Sequence, residues 1–275
     1  MGKRDDFLIK ADEMFCGINN FLISIKDIFY RNSKLLKRNE ELNVDDNKEK
    51  LCFIIGNGPS LKTVNLESVQ QYPCLTVNFF HKGCEKFQSK YHLLIDPEFA
   101  TIHFDWVKQI LNKYPSTNLL VDDKIYKRFV VENISTEMIY LIHHSYVQSC
   151  GNIKVDMTKN MTGSSNVVPV AIECAISMGY QNIILLGCDF SMYTESKGKH
   201  FYNAEISQEN LNLKNNISTN NVGNLIRCAL IHKQHYAINK KAIEMGVHIY
   251  NATPNSLIDA YDFISFEDVL KKFKK

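Results

Sequence analysis

No two of the eight cysteines stand in a C-x-x-C pair, which argues against a zinc ribbon or a thioredoxin-type redox site. There is no G-x-S-x-G elbow and no H-E-x-x-H, so the usual serine-hydrolase and zincin signatures are missing. No apolar stretch reaches the roughly 20 residues a membrane span needs, and the first residues, Gly2-Lys3-Arg4-Asp5-Asp6, are charged rather than signal-like. Net charge is only +2, from 32 basic and 30 acidic residues; this excludes a wholesale nucleic-acid coat, and no nucleic-acid partner is expected. Repeats and low-complexity tracts are also missing. The expectation is a cytoplasmic protein whose Cys52, Cys74, Cys174 and Cys188, all inside apolar runs, are buried thiols. The four N-x-[ST] sequons at Asn133, Asn160, Asn216 and Asn251 then read as chance.

What the sequence does have is a chain of 275 residues, 45% hydrophobic, long enough to bury a core in one or two domains. Residues 7–31 carry apolar side chains near helical spacing (Phe7, Met14, Ile18, Phe21, Ile25, Ile28) and read as an amphipathic helix. Residues 32–50 are charge-dense and read as an exposed linker. This separates an N-terminal arm, 1–50, from a main domain, 51–275. The arm could cover a core, bind a partner subunit or lie on a membrane; a packing helix is the plainest reading.

From Leu51 on, short apolar runs alternate with helical patterns. Strands are expected at 51–55, 74–79, 91–95, 118–121, 138–142, 182–187 and 247–250. Helices are expected at 62–69, 103–113, 167–178 and 224–245. Residues 191–221, rich in Asn and Ser, read as a polar lid. The alternation predicts an α/β fold: an open, mostly parallel, Rossmann-like sheet with helices on both faces. Ligands of such sheets lie beyond the carboxyl ends of the strands. That selects the loops 56–61, 78–82, 96–99, 188–193 and 251–256.

Gly56-Asn57-Gly58-Pro59-Ser60 follows the first strand directly. Glycine there permits close backbone approach, and the N–H groups of the turn favour a phosphate. It is neither a Rossmann fingerprint nor a P-loop, because the third glycine and the Gly-Lys-Ser/Thr are missing. Asp122-Asp123 follows a strand; such a pair can hold Mg2+, although a solvated turn is commoner. Lys271-Lys272-Phe273-Lys274-Lys275 reads as a solvated basic end, with an anionic membrane surface as the functional alternative.

Gly56-Asn-Gly-Pro-Ser-Leu61 resembles the first-strand motif of the bacterial sialyltransferases of glycosyltransferase family 42. It also resembles that of the wider MptE-like group, which includes 6-hydroxymethylpterin diphosphokinase and proteins of surface-polysaccharide loci. The block Ala171-Ile-Glu-Cys-Ala-Ile-Ser-Met-Gly-Tyr-Gln-Asn-Ile-Ile-Leu-Leu-Gly-Cys-Asp-Phe190 is similar to the shared helix–Gly-Tyr–strand–Gly-x-Asp-Phe block. Asn78 and Pro254-Asn-Ser-Leu257 also agree with the pattern, and the likeness spans about residues 51–260.

The resemblance implies a transferase of surface-glycan (lipopolysaccharide or capsule) synthesis, working at the inner face of the inner membrane. Its donor would be a CMP-sugar carrying a sialic-acid-like nonulosonate, its acceptor a glycan or glycolipid, and it would need no resident cofactor or metal. Gly56, Asn57, Gly58, Ser60, Asn78, Asp189, Asn255 and Ser256 would lie around the donor. Thr162, Ser164 and Ser165, which precede a helix and are N-cap residues first, suit the family's Thr/Ser contacts to it. The general base aligns with His232, with His235 and His200 as neighbours in the same argument.

Two positions depart from the sialyltransferase pattern. Asp96-Pro97 stands where those enzymes have Asn-Pro, and a carboxylate there repels a phosphate unless a cation or sugar hydroxyl intervenes. Ser191 replaces the tyrosine after Asp-Phe, leaving Tyr193 or Tyr202 to supply a phenol. The rival readings are a Mg2+-dependent diphosphokinase, with Asp96 and Asp189 on the metal, and a non-catalytic assembly protein. Peripheral membrane contact and homo-oligomerisation are left open by the residues.

Overall fold

The computed structural model describes residues 3–28, 33–45, 50–147, 153–191 and 221–273. Its centre is an eight-stranded, all-parallel sheet: β1 (Leu51–Ile55), β2 (Cys74–Val77), β3 (Tyr91–Leu94), β4 (Asn118–Val121), β5 (Ile139–Leu141), β6 (Asn182–Leu186), β7 (His248–Asn251) and β8 (Asp262–Phe263). Their spatial order is β5-β4-β3-β2-β1-β6-β7-β8. The chain therefore walks outward from β1 to β5, returns to pair β6 with β1, and walks out the other way. The reversal between β1 and β6 is the topological switch point, where open α/β sheets bind ligands.

Strands β1, β2 and β3 are buried at every position, and mostly apolar, because both faces of the sheet are covered. Even-numbered residues of β1 (Cys52, Ile54) enter one core with Leu75, Leu93, Ile183 and Leu185. Odd-numbered ones (Leu51, Phe53, Ile55) enter another with Ile184, Leu186, Phe80 and Val269. A third core, on Leu119, Val121 and Leu141, is closed by Val107, Ile110 and Phe129.

In chain order the helices among the described residues are α1 (Lys3–Asp27), α2 (Ser33–Lys37), α3 (Phe80–Gly83), α4 (Phe104–Lys113), α5 (Asp123–Val131), α6 (Val167–Ser177), α7 (Asn221–Glu244) and α8 (Phe266–Lys272). Helix α6 is buried from Val168 to Ile176. It lies on β1–β3 and under α7, which explains why its sequence is apolar on all sides but for Glu173, whose Oε1 accepts from the Gln234 amide at 3.1 Å.

The expected strands are all present, and the α/β class is as read. The linker reading of 32–50 is corrected. Leu36, Asn39 and Leu42 are buried, and Asn39 Nδ2 donates to the carbonyls of Leu141 (2.8 Å) and Met157 (2.7 Å). Arg38 donates to the carbonyls of Thr136 at 2.8 Å and of Glu137. These contacts tie 33–42 to the β5 end of the sheet. The helix expected at 62–69 is instead two 3-10 turns, Pro59–Thr63 and Leu66–Val69.

Asp122 is not in a solvated turn but buried. It N-caps α5 by accepting the Ile125 N–H at 2.8 Å, and burial pushes its carboxyl up to about 6. Asp123 hydrogen-bonds His143 Nδ1 at 2.6 Å. Lys271 and Lys272 of the basic end belong to the last turn of α8, and Lys272 Nζ donates to the Tyr250 hydroxyl at 2.7 Å. Cys52, Cys74, Cys174 and Cys188 are buried and free; burial pushes the Cys52 and Cys188 thiols up to about 12. Among the described residues no helix is long and apolar enough to cross a membrane. The lid expected at 191–221 falls almost wholly outside the described residues.

Candidate functional site

A cavity of about 590 Å3 opens at the switch point. Gly56, Asn57, Gly58 and Pro59 after β1, Asn78 and Phe79 after β2, and Asp96 to Phe99 after β3 form one side. Ser164, Ser165 and Asn166 before α6, Asp189 and Phe190 after β6, and Arg227 of α7 form the rest. Eight residues singled out from the sequence (Gly56, Asn57, Gly58, Asn78, Asp96, Ser164, Ser165 and Asp189) line this one cavity.

The strand ends meet too closely for side chains. A Cβ on Gly56 would lie 2.4 Å from the Gly187 carbonyl oxygen, and one on Gly58 would lie 1.7 Å from Asp189 Oδ2. Asp189 fills the space that Gly58 leaves. Its Oδ1 accepts the Ser60 N–H at 3.1 Å and its Oδ2 accepts the Ser60 hydroxyl at 2.6 Å. The N–H groups of Gly56 and Gly58 donate to the carbonyls of Leu186 and Gly187, both at 2.8 Å.

The expected phosphate cradle at this turn is therefore corrected. Its donors are spent on β6, and a carboxylate already caps the Pro59–Thr63 turn, where a phosphate would be repelled. The glycines serve the junction between β1 and β6.

Two polar atoms at the cavity wall are left over. The side-chain carbonyl oxygens of Asn57 and Asn78 are buried without a hydrogen-bond partner. Asn57 is oriented by its amide, which donates to the Val77 carbonyl at 3.1 Å. Asn78 sits at φ 49°, a left-handed conformation asparagine adopts more readily than most residues. An unmet buried acceptor costs about 1–3 kcal/mol, which a ligand bringing N–H or O–H groups would recover.

Opposite them, Asn166 caps α6 by accepting the Val168 N–H at 2.9 Å, while Ser164 Oγ accepts the Asn166 N–H at 3.2 Å. A helix start with hydroxyls beside it favours an anion, and Arg227 supplies a cation in the same wall.

Asp96 caps the Pro97–Ala100 turn by accepting the Glu98 N–H at 3.1 Å. Phe190, at φ 54°, holds a strained backbone for a bulky residue. The ring of His232 stands edge-on to it, with centroids 4.8 Å apart at 88°.

Five of the expected site residues do not line the cavity: Ser60, Thr162, His232, Asn255 and Ser256. Thr162 is fully buried outside the cavity, its hydroxyl accepting the Lys154 N–H at 2.9 Å, and the cap of α6 is Asn166. Ser60 is bonded to Asp189 and is not among the lining residues. Asn255 and Ser256 do not line the cavity either. Ser256 Oγ donates to the Cys188 carbonyl at 2.7 Å, bracing the strand end that carries Asp189.

His235 is buried, with Nδ1 2.9 Å from the Tyr261 hydroxyl, so it cannot reach an acceptor in the cavity. Burial, with His232 beside it, pushes its imidazole down to about 3. Tyr193, Tyr202 and His200 lie outside the described residues.

The folded chain keeps His235 neutral, while the unfolded chain protonates it below about 6.5. The share of stability linked to His235 should thus fall by about 1.4 kcal/mol per pH unit as pH drops from 6.5 toward 3, beside those of His81, His92 and His144, which burial also pushes down. Denaturant melts across pH 4–7 check this: His235→Gln should flatten the profile by that slope relative to the unaltered chain.

A family model for 6-hydroxymethylpterin diphosphokinase MptE-like proteins matches residues 19–195, well over half of the chain. The chain belongs to the MptE-like family. The matched span runs from α1 through β6 and so holds most of the cavity wall. Among solved structures, the MAf glycosyltransferase from Magnetospirillum magneticum AMB-1 is similar at 11% identity and a TM-score of 0.48. The match covers 85% of this chain and 38% of that one. No curated protein matches significantly.

Beyond the residues singled out, this MptE-like cavity recruits Phe79, Glu98 and Phe190, which lie in the loops selected from the sequence, and His103, Asn166 and Arg227, which do not. Of the last three only Asn166 had a sequence signal, a cap residue directly before an apolar helical run. Arg227 and His103 are single basic residues in unremarkable contexts, which become part of a site only when β3 and α7 are brought to the switch point.

Proposed function

We propose that this protein is a glycosyltransferase that binds a nucleotide-activated sugar in the switch-point cavity, with a CMP-linked nonulosonate as donor and a surface glycan or glycolipid as acceptor. One observation carries the nucleotide reading: two unpartnered amide oxygens, on Asn57 and Asn78, share a cavity with the hydroxyl-flanked start of α6 and Arg227. Amino and hydroxyl donors of a nucleoside suit the first pair, and a phosphate suits the second. The choice of CMP and of a nonulosonate comes from the family resemblance.

In the proposed reaction the acceptor hydroxyl attacks the anomeric carbon. The new C–O bond forms as the bond to the CMP phosphate breaks, and the hydroxyl proton passes to the imidazole assigned as base, that of His232. The leaving phosphate is met by Ser164, Ser165, the α6 N-terminus and Arg227. The strained Phe190 positions the His232 ring.

A diphosphokinase is the second reading, favoured by the family's description and by Asp96, whose one hydrogen bond among the described residues is from the Glu98 N–H. The Mg2+ pair of Asp96 and Asp189 fits poorly, because both oxygens of Asp189 already accept from Ser60.

Asp96→Asn separates the two, since asparagine also caps a turn and the fold should hold. In a transferase the variant should keep or improve CMP affinity. Loss of Mg2+-dependent nucleotide binding, measured by calorimetry with and without EDTA, would favour the diphosphokinase.

A further inference from the structure

Helix α1 has two opposite faces. On one, Cys16 is buried, Asn20 exchanges hydrogen bonds with the backbone N–H (2.8 Å) and carbonyl (2.5 Å) of Val147, and Asp27 accepts from the Asn160 amide at 2.9 Å on both oxygens. These contacts fasten the helix to its own domain.

On the other face, Met14, Ile18, Phe21, Ile25 and Ile28 are 67%, 56%, 65%, 43% and 77% exposed. Their spacing is four, three, four, three. Phe15 and Leu22, seven residues apart and also exposed, widen the stripe on one side. No described element covers it.

The spacing says what kind of partner fits. Alternating steps of three and four, kept over two heptads, form a narrow apolar seam of the kind into which a second helix interlocks. With aromatic side chains alone worth about 150–250 Å2 each, the seven residues offer on the order of 700 Å2, near the roughly 800 Å2 per partner of a standard interface. Across the helix from Phe15 and Leu22, Gly17 and Ser24 repeat at the same seven-residue interval, and a Cβ on Gly17 would meet nothing, leaving room for a close neighbour. The charge does not favour a lipid surface. The helix has four basic and five acidic residues, where anionic membranes select a polar face rich in Lys and Arg.

We propose that α1 is a dimerisation helix: its exposed seam packs against the same seam of a second copy of this chain about a two-fold axis. A self-complementary stripe satisfies both partners at once. The opposite face, held by Val147 and Asn160, couples each copy rigidly to the pair.

Sedimentation equilibrium of the full chain at tens of micromolar tests this. A dimer is expected, and Phe21→Glu and Ile18→Glu should each raise its dissociation constant by at least about 30-fold, as for residues central to an interface. Both side chains are exposed, so helix content and melting temperature should persist, and circular dichroism confirms that the variants are folded. A monomer across the concentration range overturns the proposal, as does a dimer that both variants leave intact. So does a monomeric chain that floats with phosphatidylglycerol vesicles, since the stripe would then serve a membrane.

Discussion

His232→Ala should lower sugar transfer by about 10²–10⁴-fold, the usual worth of a general base, while changing donor affinity by no more than a few-fold. The acceptor hydroxyl is a far weaker acid than any buffer near pH 7, so attack is slow unless its proton is taken as the new bond forms. His232 does not itself line the cavity but stands edge-on to Phe190, which does, whereas His235 is buried against Tyr261. Donor affinity should survive because the groups assigned to the nucleotide, on the loops after β1 and β2, before α6 and at Arg227 of α7, do not include His232. Steady-state rates with CMP-sugar donors, beside calorimetric donor binding, check the split. If His232→Ala stays active while His200→Ala loses transfer, the base must be reassigned to His200.

Gly58→Val should destabilise the fold by about 3–5 kcal/mol and abolish nucleotide binding as a consequence. A Cβ there would stand 1.7 Å from one carboxylate oxygen of Asp189 and 2.7 Å from the Gly187 carbonyl. The valine must expel Asp189, which forfeits its hydrogen bonds to Ser60 at about 1.5–3 kcal/mol for a charged acceptor, and must strain a packed junction at a further 1–3 kcal/mol. Denaturant unfolding at pH 7 measures it. Full stability with loss of nucleotide affinity would instead restore the phosphate-cradle reading of the turn.

The strands were legible because a strand covered on both faces is an apolar run ended by polar or glycine residues, as at Leu51–Ile55 and Asn182–Leu186. Strand β8 was not, since Asp262 and Phe263 are both exposed and carry no such pattern. Helix α5 could have been found: Asp122 before Ile125, Tyr126 and Phe129 is a cap followed by helically spaced apolar residues.

The buried role of 33–42 was hidden by charge. Leu36, Asn39 and Leu42 recur every three residues within a stretch dominated by Lys, Arg and Glu, and what holds them is contact with carbonyls about 100 residues away.

Much of the candidate site was visible as loops after strands, because the parallel sheet fixes where those loops must gather. The bond between Asp189 and Ser60, 129 residues apart, was invisible, and it reverses the meaning of the glycine turn. Thr162 shows the same limit from the other side. Its position before a helix suggested a cap, yet Asn166 lies closer to the helix and takes that role.

The central claim, that the switch-point cavity holds a cytidine nucleotide, is tested most directly by a thermal-shift screen of CMP, CDP, UDP, GDP and ATP, each with and without Mg2+. A ligand at 100 times its Kd stabilises by about 2.7 kcal/mol, enough to be seen in a chain of this size. CMP should raise the melting temperature without Mg2+, and Asn57→Ala should weaken that binding about tenfold, the equivalent of about 1.4 kcal/mol for one hydrogen bond. A shift produced only by ATP with Mg2+, or none by any nucleotide, would contradict it.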